Sequence, residues 1–157
     1  MAYSANADLQ ARTSDRVLIQ LTDDEKLAVD TGTLATAIIA NAAIQVRITA
    51  AIADADAMVN TYLRKQYAVP LATTPDTIKR LSVDLAMHQL HGRRGSDFGE
   101  PPEAIIENRK QAIKVLEGIN KGEIDLGVDT LPGKSSSVIA VATGEDRIFT
   151  AETMDDF

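Results

Sequence analysis

Three side chains with metal-binding chemistry fall close together: Asp84, His88 and His91. Spacings of four and three residues place them on one face of a helix. That is the pattern of an Asp-His-His ligand set. The favoured reading is a carboxylate and two imidazoles decorating a helix end, with His91 near the negative C-terminal pole. Asp54 and Asp56 are the second pair to weigh. Two residues apart on a helix, they diverge by about 200° and cannot act as an acid–base dyad. A solvated face is the expectation for both. Three basic pairs follow: Arg64-Lys65, Lys79-Arg80 and Arg93-Arg94. No aromatic residues interleave with them for base stacking. They read as helix-end charges, as ion-pair partners for a neighbouring subunit, or as plain solvated charge. No Gly-rich phosphate loop, His-Glu-x-x-His pair or Gly-x-Ser-x-Gly elbow occurs. With no cysteine, disulfides, thiol catalysis and cysteine-ligated zinc are excluded. The expectation is a non-enzymatic protein with no catalytic residue, metal or cofactor.

The chain of 157 residues is long enough to bury one core without staples. Aromatic residues make up 4% and tryptophan is absent, so that core is built of Ala, Ile, Leu and Val. No run of about 18 apolar residues is present to span a membrane. The first eight residues lack a basic region followed by an apolar one, so they are not expected to be a secretory signal. The net charge of −7 is unevenly spread. Residues 1–121 hold 15 acidic and 14 basic side chains, a balance of −1. Residues 122–157 hold 8 and 2, a balance of −6. General affinity for a phosphate backbone requires the opposite excess. The change in composition suggests a helical domain over 1–126 and an acidic C-terminal arm over 127–157.

Hydrophobic spacing supplies the elements that must position these groups. Two short helices open the chain, the first capped by Asn6 or Asp8 and the second by Ser14 with Asp15. Thr22-Asp23-Asp24-Glu25 reads as a turn or a further helix start. The Ala-rich stretch 33–43 favours helix. Ile48, Ile52, Ala55, Val59, Tyr62 and Leu63 trace one face of a long helix that stops before Pro70. Asp54, Asp56, Asn60 and Arg64 fall off that face. A second long helix starts near Pro75, with Thr74 as its cap and Ile78, Leu81, Leu85 and then His88 or Gln89 facing inward. A third runs from Pro101-Pro102-Glu103 to a stop at Gly122, with Ile105, Ile106, Ala112, Ile113, Leu116 and Ile119 on its face. The fold class is therefore mainly α: a small antiparallel bundle of three to five helices with an extended C-terminal arm. Val138–Val141 and Arg147–Thr150 can pair in that arm as a short β-hairpin. Such a hairpin needs a supporting surface. The arm's apolar residues, Ile148, Phe149, Met154 and Phe157 among them, suit docking on a partner's sheet edge or folding back on its own helices.

The segment Tyr62-Leu63-Arg64-Lys65-Gln66-Tyr67-Ala68-Val69-Pro70-Leu71, preceded by Ala53-Asp54-Ala55-Asp56-Ala57, resembles the Mu-like phage head–tail connector (adaptor, head-completion) family. Tyr3 with Asp8-Leu9 and Arg12, Leu81 with Asp84-Leu85-Ala86, the stretch Leu116–Gly122 and the closing Arg147-Ile148-Phe149-Thr150 fit as well. Two departures stand out: Gln66 occupies the place of an arginine, and stretch 33–43 adds length. The resemblance implies a structural ring of identical subunits, twelve in number, between the portal protein and a tail or stopper protein. It implies passage of double-stranded DNA without sequence-specific binding, no membrane partner, and residence in the virion at the head–tail junction after a cytoplasmic phase in the host. Arg64, Lys65, Tyr67, Arg93, Arg94, Ile148, Phe149, Met154 and Phe157 are the candidate partner-interface residues. The alternatives are a helical protein–protein interaction module or regulator with a partner-ordered acidic tail and, more weakly, a metal-dependent enzyme using Asp84 and His88.

Overall fold

The computed structural model describes residues 2–27, 32–94 and 100–131. Six α-helices form among them: α1 (Asn6–Gln10), α2 (Asp15–Thr22), α3 (Leu34–Ala40), α4 (Ala42–Leu63), α5 (Asp76–Arg93) and α6 (Glu103–Lys121). The protein is mainly helical, with α4, α5 and α6 packed against one another and the three short helices laid over them. The candidate hairpin and Ile148, Phe149, Met154 and Phe157 lie outside the described residues.

The long helices form where the apolar spacing placed them. Ile48, Ile52, Ala55, Val59 and Leu63 of α4 are buried, and so are Ile78, Leu81 and Leu85 of α5. Helix α5 also buries Ser82, Val83, Asp84, Ala86, Met87 and Leu90. It is covered on several sides because α1, α2, α4 and α6 all pack on it. Helix α6 buries Ala112, Leu116 and Ile119, while Ile105 and Ile113 are half-buried. It ends at Gly122, whose φ of +81° is open to glycine at little cost. The Gly122 N–H donates to the Ile119 carbonyl and the Glu123 N–H to the Gly118 carbonyl, a Schellman closure.

The Ala-rich stretch makes a corner instead of one helix. Helices α3 and α4 meet at Asn41 with a bend of 117°. Asn41 leaves helical geometry, and its side-chain carbonyl accepts from the Ala43 N–H to cap α4. No single helix among the described residues is long and apolar enough to cross a membrane.

Three helix starts differ from the expected caps. Asn6 lies inside α1, where its amide bonds Gln45; Asp8 accepts from the Ala5 N–H. Ser14 sits at the N-cap of α2 without a side-chain cap bond, and Asp15 instead accepts the Leu34 N–H that opens α3. Pro75, not Thr74, is the N-cap of α5, its carbonyl accepting from Lys79. An extended proline can hold that position because the N-cap needs no donor.

The chain beyond α6 folds back. Thr130 pairs with Tyr67 in an antiparallel bridge, and the Leu131 N–H donates to the Gln66 carbonyl at 2.9 Å. Residues 127–131, the first of the segment set apart as an arm, are thus anchored at the C-terminal end of α4.

Candidate functional site

Three polar clusters join segments far apart in the chain. The first is buried and centres on Asp56 of α4. Its carboxylate accepts from the Tyr3 N–H at 2.9 Å and the Ser82 hydroxyl at 2.6 Å. Because Ser82 gives its only proton to Asp56, Ser4 donates in the 2.8 Å Ser4–Ser82 bond. The Tyr3 hydroxyl accepts from the Leu71 N–H and donates to Asn60. Burial raises the Tyr3 phenol above its ordinary pKa, opposed by the Leu71 bond. This corrects the reading of Asp56 as a solvated side chain: Asp54 is exposed, but Asp56 is 6% exposed. The missed signal is positional. Asp56 follows Ile52 by four residues and precedes Val59 by three, which puts it beside the buried face.

The second cluster is ionic and solvent-facing. Asp23, Asp24 and Glu25 form a turn after α2, and three guanidiniums converge on it. Arg93 binds both Asp24 carboxylate oxygens, at 2.7 and 2.8 Å, and also donates to the Leu21 carbonyl. Arg94 donates to the Gln20 carbonyl and pairs with Asp24 at 3.6 Å. Arg47 of α4 pairs with Glu25 at 2.6 Å and with Asp24 at 3.3 Å. The Arg93 hydrogen bond, with the charges of Arg93, Arg47 and Arg94, holds the Asp24 carboxyl below its usual range. Bonds from Arg47 and Asn41 bring Glu25 down to about 2. Arg93 and Arg94 thus serve as an intramolecular clamp between the C-terminal ends of α2 and α5.

The third cluster fixes the start of the arm. The Tyr67 hydroxyl donates to Asp125 and accepts from the Leu126 N–H, each at 3.1 Å. Its ring is buried, 3% exposed, so this candidate contact residue is spent inside the chain. Gln66 donates to the Asn120 carbonyl at 3.1 Å, and Asn120 donates to the Tyr62 carbonyl at 2.8 Å. Gln66 therefore ties the end of α4 to the end of α6. Arg64 and Lys65, on the same turn, are exposed.

The Asp84–His88–His91 set does not assemble. Asp84 pairs with Arg12 at 2.7 Å and with Arg80 at 3.8 Å. Desolvation outweighs these cations and raises its pKa. Both imidazoles are shifted down, chiefly by burial. No group of three or more candidate ligands is placed to hold a metal among the described residues.

Among the described residues, one side of α4 is broadly exposed. The outer side of α4 carries Ala42, Val46, Thr49, Ala50, Ala53 and Ala57, all exposed. Val46 is 66% exposed, and Ile39, at the adjoining corner, is 86% exposed. An amphipathic helix of an isolated domain turns charged residues outward; this one is uncharged across most of its width.

The chain is 29% identical over 98 residues to the protein described as Gene product J of Escherichia phage Mu, a match covering 62% of this chain and 61% of that relative. The model of the family described as Bacteriophage Mu, Gp36 matches residues 3–141. Since that match takes in all six helices and both tyrosine anchors, the chain belongs to the bacteriophage Mu Gp36 family.

Proposed function

We propose that the protein is a structural head–tail connector: identical subunits form a ring between the portal and a tail or stopper protein and lengthen the DNA exit channel. Family membership over residues 3–141 carries this reading. Two surface features support it. A ring closes through a heterologous interface, which requires two different patches on each subunit. The uncharged outer side of α4 is one such patch. The outer side of α6 is of another kind: Glu103, Glu107, Lys110, Lys114, Glu117 and Lys121 are exposed there with mixed sign. In the virion, an acidic subunit facing the channel would repel passing phosphate and let DNA move without sticking. The portal, the tail or stopper protein and the neighbouring subunits are the partners of this reading, and no chemistry is assigned to the protein.

Co-sedimentation with assembled portal rings encoded by the same phage or prophage is the direct test. Stoichiometric capture, with an added ring of density in averaged electron micrographs, is the expected result. Failure to bind the portal at micromolar concentration overturns the reading. A monomer in the absence of portal is compatible with it, because a ring can be templated by the portal surface.

A further inference from the structure

Two depressions run end to end along the seam between α5 and α6. The first, about 120 Å³, is lined by Arg80, Leu81, Gln111 and Val115. The second, about 350 Å³, is lined by Arg12, Val17, Met87, His91 and Ile105. Asp84 and Asn108 border both, which makes them one groove. Its walls are largely apolar, and its two guanidiniums answer to one carboxylate. The Arg12 side chain is 41% exposed and that of Arg80 67%. The groove therefore suits an extended segment that is apolar and acidic.

The chain itself supplies such a segment. Residues 138–149 contain Val138-Ile139-Ala140-Val141, then Glu145-Asp146 followed by Arg147, a net charge of −1, then Ile148-Phe149. The described chain also ends at the right place. Leu131 is bonded to Gln66, and Gln66 to Asn120 at the end of α6. Val115 lies about 8 Å back along the helix from Asn120, and Ile105 about 22 Å back. An extended chain from 131 reaches about 23 Å by residue 138 and about 46 Å by residue 145. The tether is long enough for the whole groove and short enough to keep the segment at high local concentration.

We propose that residues 138–149 occupy the α5–α6 groove of their own chain, with apolar side chains on Val115, Met87, Val17 and Ile105, and Glu145 and Asp146 on Arg80 and Arg12. The inference does not depend on the connector reading. It makes the arm a strap on its own helical body.

Because the chain has no cysteine, introduced thiols are unique reporters. Full-length protein carrying Gln111→Cys with Ile139→Cys is compared with Ala53→Cys with Ile139→Cys. Position 111 borders the groove, whereas position 53 is on the outer side of α4 and within reach of the same tether. Under mild oxidation the intrachain disulfide at 111 is expected to form about tenfold faster than at 53. Adding Glu145→Lys and Asp146→Lys, which alter only the arm, should bring the two rates within about threefold of each other. Equal rates without those changes overturn the proposal. A ratio that survives charge reversal overturns the ionic pairing. A disulfide that forms between chains and rises with protein concentration overturns the intrachain placement in favour of a second copy.

Discussion

The Asp56 network and the Asp24 clamp both join distant segments, yet one is dry and the other is washed by solvent. Asp56 binds Tyr3, 53 residues away, and Ser82, 26 residues away. Its partners Tyr3 and Ser82 are 3% and 0% exposed, so water does not readily take its place. Arg93 binds Asp24 across 69 residues, but Asp24 is 36% exposed and water can take over either partner. Removing one partner of a buried bond costs the desolvation of what is left behind, whereas an exposed ion pair is screened and nearly exchangeable with hydration. Bond count alone would rank the clamp higher. Burial reverses the ranking.

The largest expected effect comes from breaking the dry side. Asp56→Ala strands the Tyr3 N–H and the Ser82 hydroxyl and should lower unfolding stability by about 3 kcal/mol. Thermal melts followed by circular dichroism measure it, and the loss should be the same at 0.05 and 1 M salt. Tyr3→Phe keeps the ring but leaves the Leu71 N–H without its acceptor, for about 1.5 kcal/mol by the same measurement. On the wet side, Arg93→Ala should cost about 0.7 kcal/mol at low salt and shrink as salt rises. A loss above about 2 kcal/mol that ignores salt would erase the distinction between the clusters.

The smallest effect is the most selective. Glu25 has its carboxyl held at about 2, below the usual value of 4.5, by Arg47 and Asn41. A carboxyl depressed in the folded state contributes stability that is complete above the unfolded value and lost as pH falls through the folded one. The clamp should therefore weaken between pH 4.5 and 2, and Glu25→Gln should flatten that part of the acid denaturation profile. An unchanged profile would remove Glu25 from the clamp.

Much of the architecture was legible before any coordinates. The 3–4 spacing of Ile48, Ile52, Ala55 and Val59, the proline at 102 and the glycine at 122 act within a turn or two of themselves. They placed the long helices and the Schellman stop. The corner at Asn41 was not legible, because alanine supports helix on both sides of it and the break depends on a side chain capping a new direction. The candidate contact residues divided in the same way. Arg64 and Lys65 are on the surface, where charged side chains at a helix end belong. Tyr67 is buried, while Arg93 and Arg94 pair within the chain in a solvent-facing cluster, because Asp125, Asp24 and the carbonyls of Gln20 and Leu21 arrive from other parts of the chain.

By itself, the sequence determined that this protein is a mainly helical body with a cysteine-free, aromatic-poor core and an acidic C-terminal segment. It also carried the likeness to Mu-like phage proteins. Periodicity, capping and composition are short-range properties, and each is complete within a dozen residues. Only the tertiary structure decided that Asp56 is dry while Asp54 is wet, that Asp84 belongs to Arg12 instead of to the histidines, and that Gln66 anchors the end of α6. Those outcomes turn on which helix lies opposite, and packing of segments 26 to 72 residues apart sets the burial that gives each polar group its energy.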